Sequence, residues 1–207
     1  MAVYSLPESM NTFYLNHIHL LEDKAVNADK RKFTVKDEAP RHFIDIDAYS
    51  VDSPFVVMPK KWDDAVAKYS EDTLIKYGIL PWHINKQYHI LVKALKEHKI
   101  ERSINLLSDL GHYVADAHVP LHTTLNYDGQ LSNQKGIHAF WESRLPELFA
   151  ENYDFYLPKV SYQDDILSYV WSILESSYSA KDSVLAFEAK LNKNYSSDLK
   201  FSIEQKN

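Results

Sequence analysis

The chain has 207 residues, a formal charge of −6 (23 Lys plus Arg against 29 Asp plus Glu) and no cysteine. That length suits one domain with its own core, and a composition of 45% hydrophobic and 25% charged residues excludes a disordered chain. Disulfides and cysteine-based zinc sites are excluded, the acidic balance disfavours duplex-DNA binding through phosphate neutralisation, and any metal must be held by His, Asp or Glu.

Only four glycines leave few of the tight turns that sheets require, and long stretches carry apolar residues at spacings of three and four. The expected fold class is therefore all-α. A helix from Glu8 to about Asp23 opens behind Leu6-Pro7, and roughly residues 24 to 58 read as irregular. Stripes follow through Trp62, Ala65, Val66, Tyr69 and Leu74, then through Ile84, Tyr88, Leu91 and Leu95 behind Pro81, then through Ile100, Ile104, Leu107, Leu110 and Val114. After an irregular stretch at roughly 119 to 136, helices are predicted from Ile137 to about Phe149, from Tyr162 to about Ser177 and from Lys181 to Tyr195. Ser202 to Asn207 reads as a frayed tail. No apolar run reaches the roughly 18 residues of a membrane span, and MAVYSLPESM has no signal-peptide pattern.

The chemistry concentrates in residues 111 to 147, GHYVADAHVPLHTTLNYDGQLSNQKGIHAFWESRLPE. His112 and Asp116 share one helical face, one turn apart. Pro120 ends that helix, His122 follows, and His138 and Glu142 repeat the four-residue spacing on another helix. Two helices that each offer an imidazole and a carboxylate are how bundles present metal ligands to their interiors. His118 falls on a different face and reads as structural. Upstream, residues 27 to 47 carry Asp29, Asp37, His42, Asp45 and Asp47 in a segment without helical period, and spacing alone does not choose among these acids.

The pattern H-x3-D-x5-H at His112, Asp116 and His122, followed by H-x3-E at His138 and Glu142, resembles the zinc-dependent bacterial phospholipases C. It is equally similar to the fungal and plant zinc-dependent single-strand nucleases that share their fold. Ala28-Asp29, and R-H-F-I-D ending at Asp45, look like that superfamily's upstream ligand loop. The resemblance spans roughly residues 1 to 150, and seven of the family's side-chain ligands have a match.

It implies a zinc-dependent hydrolase of phosphate esters in one helical domain spanning residues 1 to 207. Asp29, His42, His112 and Asp116 would hold one zinc, and His122, His138 and Glu142 another. Asp116 would bridge toward a third, and Asp29 would also act as catalytic base on the attacking water. Phe43 matches an aromatic placed under a nucleobase in the nucleases, its bland alternative being an ordinary core Phe. Asp45 and Asp47 are candidates to hold ligand imidazoles from behind.

The family's amino-terminal Trp and first His ligand have no match, and His17 and His19 are poor substitutes, so two zincs are expected here against three in the full pattern. The chain reads as truncated at its amino terminus relative to the family, and a full-length form as exported to the periplasm, envelope or outside. Two alternatives accompany the lipid head-group phosphodiesterase. One is the single-strand nuclease, with Phe43 and Tyr127 stacking bases; the other is an inactive metal-binding helical protein with an incomplete cluster.

Overall fold

A computed structural model describes Tyr4, residues 6–155 and residues 161–191. The described residues contain helices and turns and no strand, as the sparse glycines and helical periodicity imply. Met1, the predicted helix end at Tyr195 and the tail from Ser202 lie outside them.

The helices are α1 (Glu8–Leu15), α2 (Ile18–Ala25), α3 (Asn27–Arg31), α4 (Pro54–Val57), α5 (Trp62–Tyr69), α6 (Glu71–Tyr77), α7 (Leu80–Lys96), α8 (Ile100–Ala117), α9 (Ile137–Ala139), α10 (Leu145–Phe149) and α11 (Ile166–Leu191). The opening helix is broken where the sequence predicts continuity. His17 turns its ring back onto the Phe13 carbonyl, 2.8 Å away, and α2 starts afresh at Ile18. The irregular stretch before residue 58 holds α3, α4 and two 3₁₀ turns, Ala39–His42 and Ile46–Ala48.

Residues Ile166–Leu191 form one helix, α11, across the stretch where two are predicted. Ser177 and Tyr178, which read as a break, are pinned by tertiary contacts: Ser177 Oγ donates to the Ala117 carbonyl at 2.8 Å, and Tyr178 packs edge-on against Phe55 at 5.6 Å. Packing of this kind overrides weak local propensity.

Helices α7 and α8 form a hairpin through residues 97 to 99, and α11 packs across α7. Trp82 of α7, Tyr113 and Ala117 of α8, and Val170, Trp171 and Leu174 of α11 meet in one buried cluster with Ile44, Ile46 and Leu74. Trp82 and Trp171 touch at 5.4 Å, and both indole N–H groups donate to the Lys60 carbonyl, at 2.8 and 3.2 Å. Each indole thus buries its ring without stranding its polar atom; truncating such a side chain to Ala costs about 3–5 kcal/mol.

This core fixes the loops that matter. Ile44 N–H donates to the His122 carbonyl at 2.9 Å, joining the turn after His42 to the turn Pro120–Thr123. Asp47 reinforces the joint by accepting from Thr124 Oγ1 at 2.6 Å and Leu125 N–H at 2.9 Å. On the other side, Leu80 N–H donates to the Phe43 carbonyl at 3.2 Å, and a Cβ added at Gly78 would sit 2.1 Å from that carbonyl oxygen.

Candidate metal centre

Two groups of nitrogen and oxygen donors converge on neighbouring points. The first is built from three elements: α3 supplies Asp29, the 3₁₀ turn Ala39–His42 supplies His42, and α8 supplies His112 and Asp116. His42 Nδ1 lies 2.8 Å from Asp116 Oδ2 and 3.2 Å from His112 Nε2. His112 Nε2 lies 3.4 Å from Asp116 Oδ2 and 3.5 Å from Asp29 Oδ1, and His42 Nδ1 is 3.8 Å from Asp29 Oδ1. The helical spacing of His112 and Asp116 thus meets a His brought from 70 residues away.

The second group joins His122, on the turn Pro120–Thr123, to His138 of α9 and Glu142. Glu142 Oε1 is 2.9 Å from His122 Nε2 and 3.1 Å from His138 Nε2, and the two imidazole nitrogens are 3.3 Å apart. Glu142 sits in a π-helical turn, Phe140–Arg144, where Leu145 N–H reaches back five residues to the Phe140 carbonyl. Pro146 has no N–H and its ring crowds the carbonyl four residues earlier, so a widened turn is accommodated at that point. Asp128 anchors the entry to α9, accepting from Gly136 N–H at 3.0 Å and more weakly from His138 N–H at 3.4 Å.

These distances fit a tetrahedral cation. Zn–N bonds of about 2.0–2.1 Å place ligand atoms roughly 3.3–3.4 Å apart, the spacing around which both sets scatter. Four imidazole nitrogens, two in each group, turned toward carboxylates and toward one another are a poor hydrogen-bonding arrangement among themselves and a good one around an ion. Buried His122 Nδ1 has no hydrogen-bond partner among the described residues, so its polar capacity is left for something else.

Asp116 lies between the groups. Its Oδ2 faces His42 and His112, and its Oδ1 is 3.4 Å from His122 Nδ1. Asp29 is the exposed member, its side chain 51% accessible. Burial alone would raise its carboxyl, but Lys32 Nζ at 2.6 Å, with His112 and His42 beyond, holds it below the usual carboxylate range. Burial also works against ionised Glu142, and the hydrogen bonds from His122 and His138 hold it well below that range. The same bond from Glu142 outweighs desolvation and raises His138.

Other sequence-predicted residues find their places around these groups. Phe43 is half-buried, and with Tyr127, Asp45, Lys32 and the imidazoles of His42, His122 and His138 it lines a cavity of ≈ 250 Å³. His118 is exposed and bonds the Val114 carbonyl at 2.8 Å. His17 is held by Phe13 and His19 is solvent-exposed beside Glu22, so neither joins a donor group. Asp47 clasps Thr124 and Leu125, not an imidazole.

The residues behind the imidazoles are ones that sequence reasoning missed. His138 Nδ1 is 3.1 Å from the Tyr127 carbonyl. Behind His42 stands fully buried Glu38, its Oε1 3.8 Å from His42 Nε2. Glu38 is itself gripped by Arg31 Nε at 3.3 Å, Arg41 Nη1 at 2.5 Å and the Tyr113 hydroxyl at 2.5 Å. Its position four residues before His42 is the sequence signal that points to it. No family model matches the chain, and no curated protein or solved structure is significantly similar to it.

Proposed function

We propose that the chain is a zinc-dependent hydrolase of phosphate esters, acting on a phosphodiester such as a phospholipid head group. The observation that supports this reading best is the position of Asp116 between two donor groups that open on one cavity. Asp29, His42, His112 and Asp116 would hold one zinc, and His122, His138 and Glu142 a second. All seven donors are N or O atoms of the type zinc accepts. Bound there, zinc supplies Lewis-acid chemistry, making water more acidic and neutralising charge on the phosphate oxygens.

The chain's own residues do the rest. Asp29 is anionic and the most open of the donors, so it can orient a water molecule and take its proton as the water oxygen attacks phosphorus. The new P–O bond forms as the ester P–O bond breaks, and the leaving oxygen acquires a proton. Lys32, bonded to Asp29 and lining the cavity, adds a cation where phosphate charge must be held. Phe43 and Tyr127 give the cavity an apolar wall for the group attached to the phosphate.

A single-strand nuclease is the second reading, favoured by those two rings, since base–aromatic stacking is worth about 1–3 kcal/mol per base. The test starts with metal content per chain in protein purified without chelator, followed by zinc-supplemented hydrolysis of a chromogenic phosphodiester. About two zincs per chain, together with hydrolysis that chelation abolishes, support the reading. No metal after incubation with zinc, or metal without hydrolysis, leaves a metal-free or non-catalytic helical protein instead. Comparing phosphatidylcholine with single-stranded DNA then separates the two substrates.

A further inference from the structure

A second cavity, of ≈ 580 Å³, lies on the far side of the turn that carries His42. Arg41 of that turn lines it, and the residues that line it and those that line the cavity beside the donor groups form separate sets. Its volume falls in the range of roughly 300–1,000 Å³ usual for small-molecule sites.

The lining has two parts. The inner part is apolar and aromatic: buried Trp82 and half-buried Trp62 meet edge-to-face at 5.4 Å, and Ile75, Ile79 and Leu167 complete it. The rim is basic. Arg41, Lys61 and Lys86 stand there against one carboxylate, Glu71, on a chain whose formal charge is −6. Arg41 already holds Glu38, whereas Lys61 and Lys86 have no ion-pair partner among the described residues.

Buried His83 stands in the wall of this cleft. Burial first, then the charge of Arg41, and less the charge of Lys86, outweigh the opposing charge of buried Glu38 and push its pKa down to about 3, so it is a neutral imidazole at pH 7. A positive rim over an aromatic recess is complementary to an anion with a flat apolar body.

We propose that this cleft is a binding site for a small aromatic anion, its flat body in the recess of Trp62 and Trp82 and its acid group at the rim formed by Arg41, Lys61 and Lys86. An aromatic carboxylate and a nucleoside monophosphate share that chemistry. The proposal is independent of the metal-dependent reading, since the cleft contains none of the seven donors.

Fluorescence titration of the full chain with 1-anilinonaphthalene-8-sulfonate, in chelator and with tryptophan excitation, tests it. The expected result is saturable one-to-one binding with energy transfer. Lys61→Glu combined with Lys86→Glu should weaken binding by about tenfold, while Lys93→Glu with Lys96→Glu, exposed on the same α7, should leave it unchanged. Displacement by a naphthoate or by adenosine monophosphate supports the site and identifies which anion it prefers. Unchanged binding in the first double variant, or displacement by neither competitor, overturns the proposal. All four lysines are exposed, and matching unfolding midpoints will show that the variants fold alike.

Discussion

Asp116 Oδ2 lies 2.8 Å from His42 Nδ1, although the two residues are 74 positions apart, and the other oxygen of the same carboxylate faces His122 at 3.4 Å. One side chain therefore stands between two donor groups that are otherwise built from different helices. Asp116→Ala is expected to lower zinc stoichiometry from about two per chain to one or fewer, and to weaken the remaining ion by roughly tenfold or more through loss of the neighbour to His122. Isothermal titration of metal-free protein checks both figures. A single full-affinity second site would show the groups to be independent.

Glu38 supports His42 from behind and gathers Arg31, Arg41 and Tyr113 around itself. Replacing it with Gln leaves the Arg41 guanidinium short of its charge partner, while Arg31 keeps Asp109 at 3.1 Å. The cost is expected at about 2 kcal/mol, below the figure for a fully buried pair because both arginines are about 30% exposed. Burial opposes ionised Glu38, but the Tyr113 hydroxyl and the two arginines prevail, so its folded-state pKa lies below the ordinary 4.5. A carboxylate depressed in this way stabilises the fold above the unfolded pKa and loses that contribution as pH falls below 4.5. Urea midpoints measured from pH 7 down to pH 3 should therefore show a shallower acid limb in Glu38→Gln than in the parent.

Asp45 has the opposite sign. Burial, and secondarily the charge of Asp47, push its carboxyl up to about 7 from the ordinary 3.8. The fold favours its protonated form, so stability is fully present below pH 3.8 and declines as pH rises through 7. Asp45→Asn should raise the Tm of the metal-free protein at pH 8, by the equivalent of more than about 1 kcal/mol, and change it little at pH 4. An equal gain at both pH values would show that charge is not the cause.

Gly78 adopts φ +92° with the Phe43 carbonyl against its Cα. Gly78→Ala combines a left-handed backbone, costing about 1–2 kcal/mol, with a methyl 2.1 Å from that oxygen. Destabilisation of about 3 kcal/mol or more is expected. Zinc affinity should fall with it, because His42 immediately precedes Phe43, whose carbonyl the methyl displaces. Chemical denaturation and zinc titration on the same sample would reveal whether the two losses travel together.

The donor pairs His112/Asp116 and His138/Glu142 are legible in the sequence because helical spacing places both members on one face wherever the helix lies. The all-α class is legible for a similar reason, since periodicity and scarce glycine are local properties. Glu38 is not legible as a support. Its partner Tyr113 lies 75 residues away, and only the packing of the turn Ala39–His42 on α8 unites them. The same holds for α11, where the polar run at Ser176–Ser179 signals a break and the contacts of Ser177 with Ala117 and Tyr178 with Phe55 hold one continuous helix. That Asp29 and His42, among several upstream residues, belong with His112 follows from three-dimensional placement, which spacing alone does not specify.

The five-residue turn at Phe140–Arg144 makes this part of the chain sensitive to length in a way that the neighbouring loop is not. A regular helix advances about 100° per residue, so deleting one residue here would tighten the turn and rotate Glu142 away from His122 and His138 by that angle. Insertions among the exposed residues 130–133 leave the phase between His138 and Glu142 untouched. Pro146→Ala removes the ring that disfavours regular winding, and the expected loss is confined to the second metal ion. The wide turn thus acts as a phase setting, aligning a carboxylate with one imidazole a turn earlier on the same helical run and another brought by the turn Pro120–Thr123.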